Sequence, residues 1–444
     1  MYLYTLLLIS SLSAATANQG LWNLLENIIN ISHDTYVPVD ARLNITQLAR
    51  KYGYPLEQHT VTTEDKYILN VHRIPNGQKR KRPIVFLMHG LLESSDTWVL
   101  MGPDKALGYV LADQGFDIWM GNSRGNKHAQ THTTLNSSMT EYWKFTWEEI
   151  ALFDLPAMID YILKETGSDS VYYVGHSQGT TVGYVLCSMK PEYNDKIKFM
   201  FSLAPEAWMG HVRCPIVRLL SPAYNILKII LEDFNAYSAG IDFFNQIAAF
   251  TCSVMSTKCD NILYTLSGRE TKINAAFLSV ILGHSPTGSS TLQFIHYGQL
   301  VQSHRFCRFD FGDEDNMMKY GEKTPPDYDL SFVKVPVVLF YSAQDWLADT
   351  KDVEILKINL PNVNESVFIE DFTHFDYVYA SDAVDVVYNK IINKISDHEN
   401  HYQILDLKAL HVESRRKQRA SETLIRLGIE FINLFNSCIV WATG

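Results

Sequence analysis

The chain has 444 residues, 46% of them hydrophobic and 20% charged, with a formal net charge of −11. That composition excludes a disordered chain, and the length suits one large domain carrying an elaboration. The acidic balance, with no sizeable basic cluster before the far C-terminus, argues against nucleic acid as a partner.

Residues 3–12 are mostly apolar, and Ala15-Thr16-Ala17 offers small residues at both positions a signal peptidase inspects. Residues 1–17 therefore read as a secretory signal, although no Lys or Arg precedes the apolar run. The run is too short to span a bilayer, so no stable transmembrane anchor is expected. Four sequons accord with secretion and mark Asn30, Asn44, Asn136 and Asn364 as N-glycosylation candidates. In an oxidising compartment Cys252 and Cys259, close in sequence around a polar segment, are the expected disulfide. Cys187, within an apolar helical stretch, is expected to be a buried free thiol. No CxxC or His-rich spacing suggests a metal.

Residues 18–204 alternate strand-like and helix-like segments. A strand is predicted over 83–88, a helix over 105–114 and a strand over 116–120. A helix follows over 147–166, closed by Gly167, then strands over 171–174 and 198–203 with a helix between them. This alternation implies an α/β fold with a mostly parallel sheet covered by helices.

Gly175-His176-Ser177-Gln178-Gly179 lies between the strand at 171–174 and the helix that comes after it. Strand, sharp turn and helix with a serine at the apex make a nucleophile elbow, so Ser177 is the predicted nucleophile. A second match, Gly121-Asn122-Ser123-Arg124-Gly125, also succeeds a strand, but polar residues without helical period come after it. Ser123 is accordingly read as a loop residue.

From 205 to 332 the alternation stops and the pattern is helical and irregular. An insertion that long cannot be a plain loop, and its place after the strand following the elbow puts it above the serine as a cap or lid. Strand chemistry returns at 335–341, which opens the second part of the core, 333–398. In such folds the order is serine, then acid, then histidine, each on a loop after a strand. Asp345 follows the strand at 335–341, with Asp349 as its rival, and His374 follows the strand-like 366–369. His398, His401 and His411 come after the last core element. The backbone N–H groups of Leu91, on the loop ending the strand at 83–88, and of Gln178 are the predicted oxyanion donors, with His89 bracing its loop. Residues 399–444 form an extension with an amphipathic stretch and no assigned role.

Several of these motifs together resemble the acid lipase family, the gastric and lysosomal lipases and their insect relatives. The resemblance rests on 54–65, His89-Gly90-Leu91-Leu92, 121–126, Asp154-Leu155-Pro156-Ala157, 175–179, 345–349 and Thr373-His374-Phe375-Asp376. It covers about residues 20–397; Lys66, where the family usually has glycine, and the 399–444 extension depart from it. It implies an α/β-hydrolase fold with a helical cap, no cofactor, and hydrolysis of neutral-lipid esters (triacylglycerols or cholesteryl esters), with a lipid droplet or micelle as the interface. Within it Ser123 belongs to a scaffold motif. The reading to be separated from it is a carboxylesterase of soluble esters. A silent lipase-like carrier or yolk protein would have lost the serine or the histidine. A secreted protein is expected, with the lysosome as the alternative destination.

Overall fold

Nine strands form one sheet in the computed structural model, which describes residues 37–75, 82–224, 267–268, 271–401, Thr423 and Leu427. The signal segment, Asn30, Cys252, Cys259 and nearly all of the extension lie outside the described residues. The chain divides into two compact units, 1–389 and 390–444. The second is helical over its described stretch 390–401. The first holds the whole sheet.

The first unit opens with α1 (Ile45–Lys51), β1 (Glu57–Thr62), β2 (Tyr67–Ile74), β3 (Ile84–Met88) and α2 (Leu107–Asp113). It continues with β4 (Asp117–Met120), β5 (Thr131–His132), α3 (Leu155–Thr166), β6 (Val171–His176), α4 (Gln178–Met189) and β7 (Ile197–Leu203). Between β7 and β8 (Val337–Ser342) lie α5 (Pro215–Leu220), α6 (Ala275–His284), α7 (Thr291–Ser303) and α8 (Asp313–Tyr320). After β8 come α9 (Thr350–Asn359), β9 (Val363–Ile369) and α10 (Asp376–Tyr379).

The sheet runs β1-β2-β4-β3-β6-β7-β8-β9, with β5 attached to β2. The β1–β2 and β2–β4 pairs are antiparallel, and every neighbour from β4 to β9 is parallel. Sequence and position agree here. The central strands β3, β4, β6 and β8 are buried at every residue and read as near-continuous apolar runs broken only near their ends, by Asp117, His176 and Ser342, as strands covered on both faces do. Edge strand β9 alternates half-buried and exposed residues. The parallel α/β core matches the expected fold class.

Several local signals decide where helices begin and end. Asn44 accepts from Gln47 N at 2.9 Å while Gln47 returns the bond to Asn44 N at 3.0 Å, a capping box that starts α1. Gly167, at φ 64°, closes α3 in the left-handed conformation expected of it. The helix predicted over 147–166 is not regular throughout. Trp147–Glu149 forms one turn, Ile150–Asp154 widens into a π-helical turn, and α3 comes next. Pro156 stands in the first turn of α3 and lacks the N–H that would bond four residues back, so the helical ladder breaks next to it.

The loop after β4, which carries the second serine motif, is held by buried charge. Arg124 Nε donates to Asp154 Oδ1 at 2.8 Å, and Nη2 donates to Asp65 Oδ1 at 2.9 Å. The guanidinium is 1% exposed and stacks 4.0 Å from the Tyr67 ring. This one cation ties the β1–β2 turn, the β4 loop and the start of α3 together. Arg124→Ala would leave Asp154 buried without its cation, so it should destabilise the fold by about 3–5 kcal/mol, read from the urea midpoint.

Candidate active site

Ser177 follows β6 and caps the start of α4 with φ 52° and ψ −121°, a region that costs a non-glycine residue strain. The elbow holds that strain because its neighbours leave no room for side chains. A Cβ on Gly175 would stand 2.6 Å from Gly179 C, and one on Gly179 would stand 2.2 Å from Met88 O. Both glycines are required by the close passage of strand, helix and the β3 loop.

The three predicted residues meet, although the chain separates Ser177 from His374 by 197 positions. His374 Nε2 lies 2.8 Å from Ser177 Oγ, and Nδ1 lies 3.0 Å from Asp345 Oδ2 and 3.1 Å from Oδ1. Asp345 is fixed in turn, accepting from Leu347 N and Ala348 N at 2.9 Å each. With Nδ1–H donated to a carboxylate, Nε2 is the nitrogen available to take a proton from the serine. Burial disfavours the imidazolium, but Asp345 in contact, with Glu206 and Glu93 beyond it, outweighs burial and raises the His374 pKa to about 9.

Asp349 is elsewhere in this geometry. It caps α9, accepting from Lys351 N at 2.9 Å, and pairs with Arg213 at 2.8 Å. Ser123 lies 3.4 Å from His89 Nε2, a superficially similar pair without an acid behind it. His89 Nε2 accepts from Ser123 N at 3.2 Å, so Nδ1 carries the hydrogen and donates to Gly90 O at 2.7 Å. Desolvation by burial lowers the pKa of His89. The ring therefore braces the β3 loop, as expected.

That loop lies against the elbow: a Cβ on Gly90 would stand 3.1 Å from Ser177 Cβ. Leu91 comes next in the wall beside Ser177, and Gln178 is the first residue of α4. Neither N–H has a backbone acceptor among the described residues outside regular helices and strands, which leaves both able to meet an oxyanion.

Three groups join the site that carry no signal in the sequence. Glu93 accepts from Gly90 N at 2.8 Å and meets His176 Nδ1 at 3.1 Å, while His176 Nε2 donates to the His374 carbonyl at 2.9 Å. A buried pair thus links the β3 loop to the backbone of His374. Glu206, after β7, places Oε1 3.8 Å from His374 Nε2.

Above Ser177 opens a cavity of about 360 Å³ with an almost wholly apolar lining. Leu91 and Leu92 line it together with Met209, Val217, Ile295 and Tyr297, all from the stretch between β7 and β8. Phe294 stands there 44% exposed. The arrangement supplies a nucleophile, a base held by an acid, orphan N–H donors and a space for an apolar chain.

Of the other predicted positions, Cys187 is a buried free thiol on α4. The sequon asparagines Asn44, Asn136 and Asn364 are exposed. Among the described residues no helix is long and apolar enough to cross a membrane.

Two family models match the chain: the α/β hydrolase fold over residues 83–380 and the partial α/β-hydrolase lipase region over 45–102. Lipase 3 of Drosophila melanogaster is 40% identical over 359 residues, 78% of this chain and 91% of that protein. Human lysosomal acid lipase/cholesteryl ester hydrolase and human gastric triacylglycerol lipase are each 38% identical, covering 81% of this chain and 92% of theirs. A solved structure from Acinetobacter baumannii shares the fold, with TM-score 0.50 and 14% identity over 82% of this chain and 99% of that one.

Proposed function

We infer that this chain, which belongs to the α/β-hydrolase lipases, is a carboxylic ester hydrolase of neutral lipids, the class to which gastric and lysosomal lipases belong. The observation that carries the mechanism is the line Asp345–His374–Ser177 at the floor of an apolar cavity. Ser177 Oγ attacks the ester carbonyl as His374 Nε2 takes its proton, and Asp345 holds the tautomer and stabilises the imidazolium. Leu91 N–H and Gln178 N–H receive the oxyanion, each such donor contributing roughly 3–4 kcal/mol to the transition state. His374 then protonates the leaving alcohol, and water repeats the cycle on the acyl-enzyme.

Residues 205–332 act as the cap. Their side chains supply part of the cavity lining, and an acyl chain leaving a droplet or micelle needs such a lining to replace its lipid surroundings. The relatives' gastric and lysosomal names support a secreted or lysosomal protein. Cleavage after Ala17, a Cys252–Cys259 bond and glycans on Asn30, Asn44, Asn136 and Asn364 belong to the same reading.

Phe294 offers the test. Being half exposed, it can take a charge without unfolding the protein, whereas a charge in the cavity wall opposes an apolar chain. Phe294→Asp should depress hydrolysis of triolein or cholesteryl oleate at least about tenfold more than that of a short soluble ester. Equal losses on both would reduce the assignment to an esterase of soluble substrates.

A further inference from the structure

Glu206 is a buried carboxyl on the cavity side of the site that the triad mechanism does not use. Its backbone is locked to the elbow helix: Glu206 N donates to Thr180 Oγ1 at 2.9 Å, and Thr181 Oγ1 donates to Glu206 O at 2.8 Å. The side chain lines the cavity and, among the described residues, makes a single ion pair, with His374 Nε2 at 3.8 Å. The Ser177 and Tyr297 hydroxyls also hydrogen-bond to it, but a carboxylate without a closer cation is still costly to bury, and the groups that hold it belong to the site.

We propose that Glu206 is a second acid of the site, a positioning residue that acts on the serine-facing nitrogen of His374 and sets the acid limit of turnover. Asp345 takes Nδ1, whereas Glu206 faces the nitrogen that must be empty when Ser177 gives up its proton. An ionised Glu206 favours a proton already resident on Nε2, and that proton blocks the base. The other groups facing the pair are His176 at the end of β6, Ser177 at the elbow, Glu93 from the β3 loop, and the Tyr297 hydroxyl, 3.1 Å from Thr181 Oγ1, on α7. Burial raises the Glu206 pKa while His374 opposes that rise. Of these carboxyls only Glu206 makes an ion pair with Nε2; Asp345 meets Nδ1 and Glu93 meets His176.

A neighbouring anion raises the pKa of histidine, so removing it lowers that pKa and frees the base at lower pH. In Glu206→Gln the acid limb of kcat/KM should move to lower pH by at least about one unit. One unit below the wild-type midpoint the variant should then be about fivefold faster relative to its own plateau. Glu206→Asp, which keeps the charge, should stay near the wild-type limb. Asp349→Asn, a neutralisation away from the imidazole, should leave the limb in place. A purely structural role would lower the plateau without moving the midpoint.

The proposal rests on the triad reading, and labelling by a fluorophosphonate separates the two. If the probe, tracked across pH, labels no Ser177 at any pH, the triad reading fails. Labelling of Ser177 with the same pH midpoint in wild type and Glu206→Gln overturns the role of Glu206 alone. Glu206→Leu neutralises the position with a side chain suited to an apolar wall. It carries the same expected shift and the same overturning result should the amide variant not fold.

Discussion

Ser177→Ala should lower kcat for ester hydrolysis by on the order of 10⁴–10⁶ while leaving the unfolding midpoint almost unchanged. The substitution removes one oxygen and no core volume. It also relieves no strain, because alanine meets the same positive φ. Ser123→Ala is the matched control. Its hydroxyl faces a histidine whose other nitrogen is spent on a carbonyl, so no carboxylate stands ready to stabilise an imidazolium there. That variant should keep most of the activity, and an exchange of the two outcomes would overturn the elbow assignment. His374→Ala should match Ser177→Ala, since the two act as a unit.

Asp345→Asn should cost on the order of 10³–10⁴ in kcat, because an amide can present its N–H to Nδ1 and force the hydrogen onto Nε2, the wrong nitrogen. The two backbone bonds from Leu347 and Ala348 go to one Asp345 oxygen, which the asparagine carbonyl can still accept. The loop is thereby expected to survive, and the loss reports chemistry. Asp349→Asn retains the cap on α9 and forfeits only the pair with Arg213, which is partly exposed; surface pairs of that kind contribute about 0–1 kcal/mol. Steady-state rates for both variants decide between the aspartates, and equal losses would leave the acid unassigned.

The sequence disclosed these residues because their chemistry is tied to local pattern. Ser177 sits between glycines that a strand-to-helix turn demands, and Asp345 and His374 each come after an apolar strand. The buried groups around them have no such pattern. Glu206 is a lone carboxyl in Ala204-Pro205-Glu206-Ala207, and Glu93 and His176 come together only because β3 and β6 lie side by side. Burial and pairing across distant segments gave them their character, and no spacing in the chain encodes either. The same holds for the elements that were not anticipated. β1 is an edge strand with mostly exposed residues, so no apolar alternation marks it. The π-helical turn at Ile150–Asp154 interrupts a helix whose apolar period runs on regardless.

The order of the sheet also has a consequence for how the protein is made. The serine is 197 residues ahead of its histidine, an interval that takes about 10–40 s to synthesise at 5–20 residues per second. On the mechanism proposed above, a nascent chain during that time possesses the nucleophile without its base and can cleave nothing. For most of that time it also lacks β8 and β9, the strands that continue the sheet beyond β7. If it is made as a secreted or lysosomal protein, as proposed above, the chain therefore spends that interval harmless to surrounding lipid, yet with the β7 edge, including Phe199 and Phe201, open to wrong partners. Synthesis of β8 and β9 closes the edge, and His374 follows within five residues of β9, so on that mechanism the sheet is completed and the serine gains its base almost together.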